Sequence, residues 1–305
     1  MKAVRVHEYG NADQLRYEDA PMPEVAPDEV LIRIHAAGVN PVDWKTRQGL
    51  MRQVRPLDFP AILGGDAAGT VERVGAAVSR FKPGSAVVAR VSGSYAELAA
   101  VKTDAIGRAP ERIPLAHAAG IPIAAGTAWT ALFEVANLRN ARTILIQGGA
   151  GGVGTFAIQL AKLAGLEVVA TTSTGNRDFV ASLGADRVID YTREDVARQA
   201  EGVDLVLDTV GGEVLKQSLP LLRRGGQLLS IVAPPDEAAA KERGVDARFV
   251  RGNLTGIKLE EIAGLIDAGK VRVIVDHEFP LAEAKAAHAL IETGHVRGKI
   301  ILRVV

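Results

Sequence analysis

The sequence of 305 residues contains no cysteine. No disulfide bond can form, and no thiolate is available as a nucleophile, a redox centre or a metal ligand. Histidine is also scarce, with six residues, and no two of them are three to five positions apart as in a local histidine motif for zinc. The sequence therefore predicts a protein without a metal site.

Net charge and long apolar runs are lacking as well. The 36 basic residues balance the 36 acidic ones, which disfavours electrostatic capture of nucleic acid or of an anionic membrane. No run is long and apolar enough to cross a bilayer. The first residues, Met-Lys-Ala-Val-Arg-Val, are typical of a strand and lack the apolar core of a signal peptide. We therefore expect a cytoplasmic protein whose partners are small molecules and not membranes, and nucleic acid is a disfavoured partner.

The chain is long enough for two domains, and its pattern changes near the middle. Short strand-like runs at residues 29–38, 69–75 and 85–91, separated by glycine and proline, predict a small barrel or sandwich. From residue 142 onward, apolar strands alternate with helical segments. Such alternation requires crossover connections and therefore predicts a parallel sheet covered on both faces. The tail from residue 277 returns to a mixed pattern, and we expect it to rejoin the first domain.

Residues 149–154 match the pattern G-x-G-x-x-G, between a predicted strand and a predicted helix. That context is what a dinucleotide-binding turn requires. Gly149 would permit the turn, Gly151 would let the backbone approach a pyrophosphate, and Gly154 would let the helix pack on the strand. The pyrophosphate would then bind free N–H groups at the helix N-terminus. The predicted contacts are Gly149, Ala150, Gly151, Gly152, Val153 and Gly154, and the alternative is a strand–helix turn without a ligand.

The end of the next predicted strand, residues 171–177, reads Thr-Thr-Ser-Thr-Gly-Asn-Arg and contains no acidic residue. Sites for NAD have Asp or Glu there to bind the ribose 2′-hydroxyl. Ser173 and Arg177 are instead suited to a 2′-phosphate, since a guanidinium makes paired, charge-assisted hydrogen bonds to phosphate. The alternative for Arg177 is a solvated residue at a helix N-terminus, although the helix dipole does not favour a cation there. The sequence therefore predicts NADPH (NADP) as the cofactor rather than NADH.

Further motifs extend along the chain. They include Ala-Ala-Gly-Val-Asn-Pro-Val-Asp-Trp-Lys at residues 36–45 and Gly-Lys-Ile-Ile-Leu at residues 298–302. The others lie at residues 59–69, 94–97, 124–132, 148–154, 183–186 and 208–212. In this order they resemble the zinc-free quinone oxidoreductase branch of the medium-chain dehydrogenase/reductase superfamily, which is alcohol dehydrogenase-like, and the resemblance covers essentially the whole chain.

The resemblance implies an α/β fold. A GroES-like, mostly-β substrate domain of residues 1–120 would be completed by residues 270–305. A Rossmann doubly wound parallel sheet of residues 121–269 would bind NADP, and nicotinamide and substrate would occupy the cleft between the domains. Members of this branch are commonly homodimers, so we expect a homodimer here.

Departures from the zinc enzymes of the superfamily narrow the expected chemistry. Asn40 stands where they have a catalytic cysteine, and Gly65-Asp66 stands where they have Gly-His-Glu. Without such ligands the protein would not polarise an alcohol through zinc. It would transfer hydride from NADPH to an acceptor that is already electron-poor, such as a quinone or an α,β-unsaturated carbonyl compound.

Asn40, Asp43 and Lys45 are the catalytic candidates. Asn40 would donate its amide to a carbonyl oxygen or to the cofactor, the alternative being a turn-forming residue before a proline. Asp43 would orient Lys45 or bind the nicotinamide ribose, and Lys45 would place a cation near the developing oxyanion. The alternative for these two is an exposed surface pair. Trp44 and Tyr95 are weaker candidates for lining the pocket.

The resemblance also implies contacts from positions outside the glycine turn. Thr127 would approach the nicotinamide carboxamide, the alternative being a helix N-cap. Tyr191 would join Ser173 and Arg177 at the adenosine phosphate, and Lys299 would reach the cofactor from the tail. The residues expected to run past the nicotinamide ring are Val232, Ala233, Phe249 and Arg251. Residues 47–57, with three arginines, would form a mobile lip or an ordinary polar loop.

Three functions remain open at this point. The first is an NADPH-dependent quinone reductase, and the second is an NADPH-dependent enone, enal or enoyl-thioester reductase. The third is a non-catalytic, crystallin-like NADPH-binding protein with a possible RNA-binding activity. The neutral charge and the lack of an aromatic and basic stripe count against RNA binding.

Overall fold

A computed structural model describes residues 1–304, and the chain forms two compact units. One unit comprises Met1–Ile123 together with the chain from Leu254 onward, and the other is Ala124–Asn253. The predicted boundaries at 120/121 and 269/270 are therefore corrected to 123/124 and 253/254. The second boundary comes earlier because Gly256 packs directly on the backbone of Ile106, where a Cβ atom would overlap the Ile106 carbonyl oxygen.

The elements of the first segment alternate short strands with a few helices. In chain order they are β1 (Lys2–Val6), β2 (Arg16–Asp19), β3 (Glu29–Val39), α1 (Pro41–Arg47), β4 (Ala61–Ile62), β5 (Asp66–Val74), β6 (Ala86–Arg90), β7 (Leu98–Lys102), β8 (Ile106–Arg108) and α2 (Leu115–Ala118). Helix α3 (Pro122–Trp129) spans the boundary and continues as a π-helix over Thr130–Val135. Gly126 lies inside α3 and does not break it.

The second unit and the returning tail follow. The second unit contains β9 (Thr143–Gln147), α4 (Gly152–Leu163), β10 (Glu167–Thr172), α5 (Arg177–Ser182), β11 (Arg187–Asp190), α6 (Val196–Gln199), β12 (Val203–Asp208), α7 (Gly212–Ser218), β13 (Leu222–Ser230), α8 (Glu237–Glu242) and β14 (Asp246–Phe249). The tail contains α9 (Gly256–Asp267), β15 (Val275–Pro280), α10 (Ala284–Glu292) and β16 (Lys299–Arg303).

The first unit is mostly antiparallel β-structure. Its larger sheet has the order β15-β16-β3-β5-β6-β8, with β7 also paired to β3, and a smaller sheet has the order β2-β1-β4. Strand β16 pairs antiparallel with β3, so that Ile300 lies opposite Val39 and Arg303 opposite Ala36. The tail therefore rejoins the first unit as predicted, with β16 inside the larger sheet and β15 at its edge.

The second unit is a parallel sheet of six strands in the order β11-β10-β9-β12-β13-β14. Numbered from β9, this is the Rossmann order 3-2-1-4-5-6, with its reversal between β9 and β12. Ile144, Leu145 and Ile146 are all fully buried, as expected for a strand covered on both faces. The predicted α/β class is confirmed. Because the strands are parallel, the loops after all six of them lie at one edge, the carboxyl edge.

None of the helices within residues 1–304 combines the length and apolarity needed to cross a membrane.

Candidate functional site

The turn after β9 begins at the carboxyl edge with Gly148, whose φ of 77° is in the left-handed region. The turn conformation predicted for Gly149 thus belongs to Gly148. Gly149 is a packing position, since a Cβ there would lie 3.0 Å from the Cβ of Ala170. At Gly154 a Cβ would overlap the carbonyl oxygen of Gly148, so this glycine lets α4 pack closely on the turn.

Gly151 differs from these packing glycines. It is the N-cap of α4, and a Cβ there would meet only the carbonyl oxygen of Gly148, at 3.5 Å. The space beside its backbone is therefore open, and Gly152 and Val153 follow in the first turn of α4, where N–H groups have no partner within the helix. This combination fits a phosphate group that accepts hydrogen bonds from the backbone.

Ser173, Arg177 and Tyr191 lie on the adjacent loops of this edge. Ser173 is half-buried and directly follows β10, while Arg177 begins α5 with 46% of its side chain exposed. The backbone of Tyr191 donates to the carbonyl of Thr172 at 3.1 Å, which joins the loops after β10 and β11. The three predicted side chains are thus on neighbouring loops. The guanidinium of Arg177 also donates to Glu194 at 2.8 Å, a partner that the sequence pattern did not indicate.

A buried carboxylate organises the loops after β12 and β13. Asp208 is fully buried, and it accepts a hydrogen bond from Ser230 at 2.8 Å and from the backbone of Gly211 at 2.9 Å. The hydroxyl oxygen of Ser230 in turn accepts from the backbone of Val232 at 3.3 Å and of Ala233 at 3.4 Å. Val232 and Ala233 are therefore held at the carboxyl edge by a defined network.

The last predicted contacts in this unit lie on β14 and α3. Phe249 ends β14, and the guanidinium carbon of Arg251 lies 5.9 Å from the centre of its ring. Thr127 lies inside α3, so the alternative role as a helix N-cap is wrong. Its hydroxyl would be 3.7 Å from a Cβ placed on Gly252, which brings Thr127 next to the segment that follows β14.

Asn40 lies in the first unit as the N-cap of α1, with only 4% of its surface exposed. Its side-chain nitrogen donates to Asp66 at 2.8 Å, and its side-chain oxygen accepts from the ammonium of Lys299. Lys299 also donates to Asp66 and to the carbonyl of Val39, both at 3.2 Å. Asn40 is therefore fixed between a buried anion and a buried cation.

The expected contact of Lys299 with the cofactor is corrected by this geometry. An ammonium group has three N–H donors, and Val39, Asn40 and Asp66 accept all three. With 3% of its side chain exposed, Lys299 forms a buried ion pair with Asp66 and orients Asn40. A carboxylate removed from water requires such a partner.

Asp43 does not orient Lys45, and the two do not form a surface pair. Asp43 is 5% exposed, and its carboxylate accepts from the backbone of Asn40 at 2.8 Å and from the hydroxyl of Tyr95 at 3.0 Å. Burial raises the pKa of Asp43 to about 7. The ammonium of Lys45 lies 5.7 Å from the centre of the Trp44 ring. Asp43 thus holds the start of α1, whereas the side chain of Lys45 lies beside the Trp44 ring and does not contact that carboxylate.

The hydrogen bonds continue from Asp43 into the core. Tyr95 is fully buried, so it is a core residue rather than a pocket wall, and its hydroxyl lies 3.1 Å from Nε2 of His288. Burial, together with the charge of Arg47, lowers the pKa of His288 to about 3. Arg47 is itself fully buried and donates to Glu292, so this residue is not part of the lip or loop predicted for residues 47–57.

Asp43 and His288 affect stability in opposite directions as pH changes. Between pH 3.8 and about 7, Asp43 keeps in the folded protein a proton that the unfolded chain has lost, so rising pH lowers the free energy of unfolding. Between about pH 3 and 6.5, folded His288 excludes a proton that the unfolded chain binds, so rising pH raises that free energy. Where the two ranges overlap, the contributions oppose each other.

The variant Asp43→Asn is expected to remove the loss of stability that Asp43 causes as pH rises, so that only the opposite effect of His288 remains of the two. Its free energy of unfolding relative to the unchanged protein should rise from about pH 4 to about pH 7, by at most about 1.4 kcal/mol per pH unit. Urea unfolding of both proteins across this range measures the difference, in which the contributions of all other groups cancel. If the free energies of unfolding of the two proteins changed with pH in parallel, the buried Asp43 would not have the raised pKa described above.

Two comparisons with protein families cover most of the chain. Residues 26–120 match the family described as alcohol dehydrogenase GroES-like domain, and residues 183–302 match the family described as zinc-binding dehydrogenase. The quinone-oxidoreductase homolog of the spinach (Spinacia oleracea) chloroplast is 34% identical, over 99% of this chain and 98% of that protein. The chain belongs to the quinone oxidoreductase-like branch of the medium-chain dehydrogenase/reductase superfamily. Its first unit is thus the expected GroES-like domain.

Other members of the superfamily are similar over the same extent. The NADPH-dependent alkenal/one oxidoreductase of Arabidopsis thaliana chloroplasts is 36% identical, over 99% of this chain and 79% of that protein. The crystal structure of Escherichia coli quinone oxidoreductase complexed with NADPH has a TM-score of 0.91 and 26% identity, and each chain is covered completely. Within residues 1–304 of this family member, no group of three or more histidine or acidic side chains is arranged to hold a metal ion.

Proposed function

We propose that the protein is a zinc-independent, NADPH-dependent oxidoreductase that transfers hydride to a quinone. The observation that carries the proposal is the carboxyl edge of the second unit. There the open backbone at Gly151 is followed, on the next loops, by Ser173, Arg177 and Tyr191, with no acidic residue at the end of β10. The similarity to a quinone oxidoreductase that was crystallised with NADPH supports the same assignment.

The proposal assigns each loop of this edge a part of the cofactor. The turn and the start of α4 would bind the pyrophosphate through N–H groups. Ser173, Arg177 and Tyr191 would bind the 2′-phosphate, and Thr127 the carboxamide. The loops after β13 and β14 would line the nicotinamide with Val232, Ala233, Phe249 and Arg251.

When bound, NADPH would supply the hydride, and side chains of the first unit would stabilise the oxygen that becomes negative. The amide nitrogen of Asn40 carries two hydrogens and donates one of them to Asp66, so the second remains for the substrate oxygen. Lys45 has no carboxylate partner within residues 1–304, which leaves its charge available for the same oxygen. Asp43 would act as a positioning residue, through its hydrogen bond to the backbone of Asn40.

A second candidate is the reduction of an α,β-unsaturated carbonyl compound. It is favoured by the similarity to the alkenal/one oxidoreductase of Arabidopsis thaliana. Hydride addition to an enone also produces a negative oxygen, so Asn40 and Lys45 would have the same roles. The two candidates differ in the shape and polarity of the acceptor.

Titration with NADPH and NADH, followed by a panel of acceptors, tests the proposal. We expect NADPH to bind more tightly and to reduce 1,2-naphthoquinone faster than 2-alkenals. Faster turnover of alkenals would favour the second candidate. Binding of NADPH without its oxidation by any acceptor would contradict both and favour a non-catalytic protein.

The variant Lys45→Met is expected to lower kcat roughly tenfold to a hundredfold, because a cation beside the developing oxyanion would be lost. Stopped-flow oxidation of bound NADPH by the quinone measures the step. Lys102→Met is a matched control, since Lys102 is an exposed lysine at the end of β7 in the same unit. Equal rates in the two variants would remove Lys45 from the mechanism.

The homodimeric state and the cytoplasmic location stay predictions from the sequence and the resemblance. Light scattering of the purified protein would measure the first, and fractionation of the source cells the second.

A further inference from the structure

The guanidinium of Arg177 is already paired with a carboxylate. Its Nη1 donates to Oε1 of Glu194 at 2.8 Å, and the two side chains are 46% and 30% exposed. The same oxygen of Glu194 accepts a hydrogen bond from the backbone of Asp190 at 3.1 Å. The proposed 2′-phosphate site therefore contains a fixed negative charge beside its cation.

Glu194 is held in place by the loop that carries it. The carboxylate of Asp190 is fully buried and accepts from the hydroxyls of Thr174 and Thr192, each at 2.6 Å. The backbone of Glu194 donates to the carbonyl of Asp190 at 2.8 Å. Because Thr174 belongs to the loop after β10, these bonds join that loop to the loop after β11. Glu194 would have to break its bond to the Asp190 backbone in order to move away from an incoming anion.

A phosphate monoester carries close to two negative charges at neutral pH, whereas the ribose 2′-hydroxyl of NADH is neutral. A carboxylate beside Arg177 repels the phosphate and not the neutral hydroxyl, and it also accepts a hydrogen bond from Nη1 of the guanidinium. We propose that Glu194 is a specificity-determining residue that weakens the binding of NADPH relative to NADH. This inference rests on the proposed function, which places the 2′-phosphate at Arg177.

The variant Glu194→Gln tests the inference, since it removes the charge and keeps an oxygen for the backbone of Asp190. We expect the Kd of NADPH to fall about three- to tenfold, the size of one partly screened charge interaction. The Kd of NADH should change less than about twofold, and added salt should reduce the difference between the variant and the unchanged protein. The quenching of protein fluorescence by each dinucleotide gives both constants.

Asp186→Asn is the matched control. Asp186 is also a partly exposed carboxylate paired with a cation, Lys162 at 2.8 Å, and it precedes β11 at the opposite edge of the sheet. Both constants should stay unchanged in this variant. Thermal unfolding of each variant shows whether a change in affinity reflects a loss of folded protein.

The variant Arg177→Gln tests whether the 2′-phosphate of NADPH binds at Arg177. It should weaken NADPH binding and leave NADH binding unchanged, and equal losses for the two dinucleotides would overturn the inference. NADPH affinity that is unchanged or lower in Glu194→Gln would also overturn it, the lower value meaning that Glu194 orients Arg177. If the unchanged protein binds neither dinucleotide, the proposed function itself fails.

Discussion

Replacing Lys299 with methionine is expected to lower the free energy of unfolding by about 3–5 kcal/mol, because it leaves the carboxylate of Asp66 buried without a cation. Asp66 is fully buried, and its remaining partners are the amide of Asn40 and the backbone of Ile123 at 2.8 Å each. Two neutral donors do not replace the charge of the ammonium. Urea unfolding near neutral pH measures the loss.

Two further variants sharpen this test. The double variant Lys299→Met with Asp66→Asn no longer has the uncompensated charge. Its free energy of unfolding should therefore fall by less than that of Lys299→Met alone. Lys285→Met breaks an exposed ion pair with Asp13 and should leave the free energy of unfolding almost unchanged. If Lys299→Met proves as mild as Lys285→Met, the ion pair does not have the stabilising role assigned to it.

Replacing Gly154 with alanine is expected to destabilise the second unit by about 2–3 kcal/mol, since the new Cβ would overlap the carbonyl oxygen of Gly148 and displace α4. Gly151→Ala should behave differently. Its backbone, with φ of −75° and ψ of 173°, suits alanine, and the Cβ meets only one atom within 4 Å. Stability should change little, whereas NADPH affinity should fall roughly tenfold or more, or about 1.4 kcal/mol, because the methyl group fills the proposed phosphate site.

Thermal unfolding and dinucleotide titration of both variants separate packing from binding. Gly264→Ala is a control, because this glycine lies inside α9 with no atom near a Cβ, and alanine should stabilise that helix by up to about 1 kcal/mol. A Gly151→Ala variant that binds NADPH normally would exclude the turn from the cofactor site. Unchanged thermal stability in Gly154→Ala would show that α4 adjusts freely.

The parts of the structure that could be predicted from the sequence are local. The strand–helix alternation after residue 142 predicts the parallel sheet. The glycine turn, together with the lack of an acidic residue at the end of β10, predicts which edge of that sheet would bind a cofactor. The spacing of glycines did not reveal which one turns the chain, because Gly148 and Gly149 differ only in what surrounds them. Periodicity indicates a strand, but it carries no information on the backbone angles of adjacent glycines.

The parts that could not be predicted depend on partners far apart in the chain. Lys299 lies 233 positions from Asp66, and Arg47 lies 245 positions from Glu292. Lys299 is expected at the cofactor and Arg47 in a polar lip or loop, yet both are buried and paired with residues from the other end of the chain. The pairing of Asp43 with Tyr95 rather than Lys45 has the same cause, since α1 packs its third residue inward.

The position of β16 inside the first sheet also bears on the order in which the protein assembles during synthesis. Residues 124–253 are continuous and can fold as soon as they leave the ribosome. Strand β3 is made much earlier, but its edge at residues 36–39 stays unpaired until residues 299–303 emerge. The same late segment delivers Lys299 to Asp66. A nascent chain stalled before this point would present an open strand edge and an unneutralised carboxylate, both of which chaperones and proteases would encounter before the first unit closes.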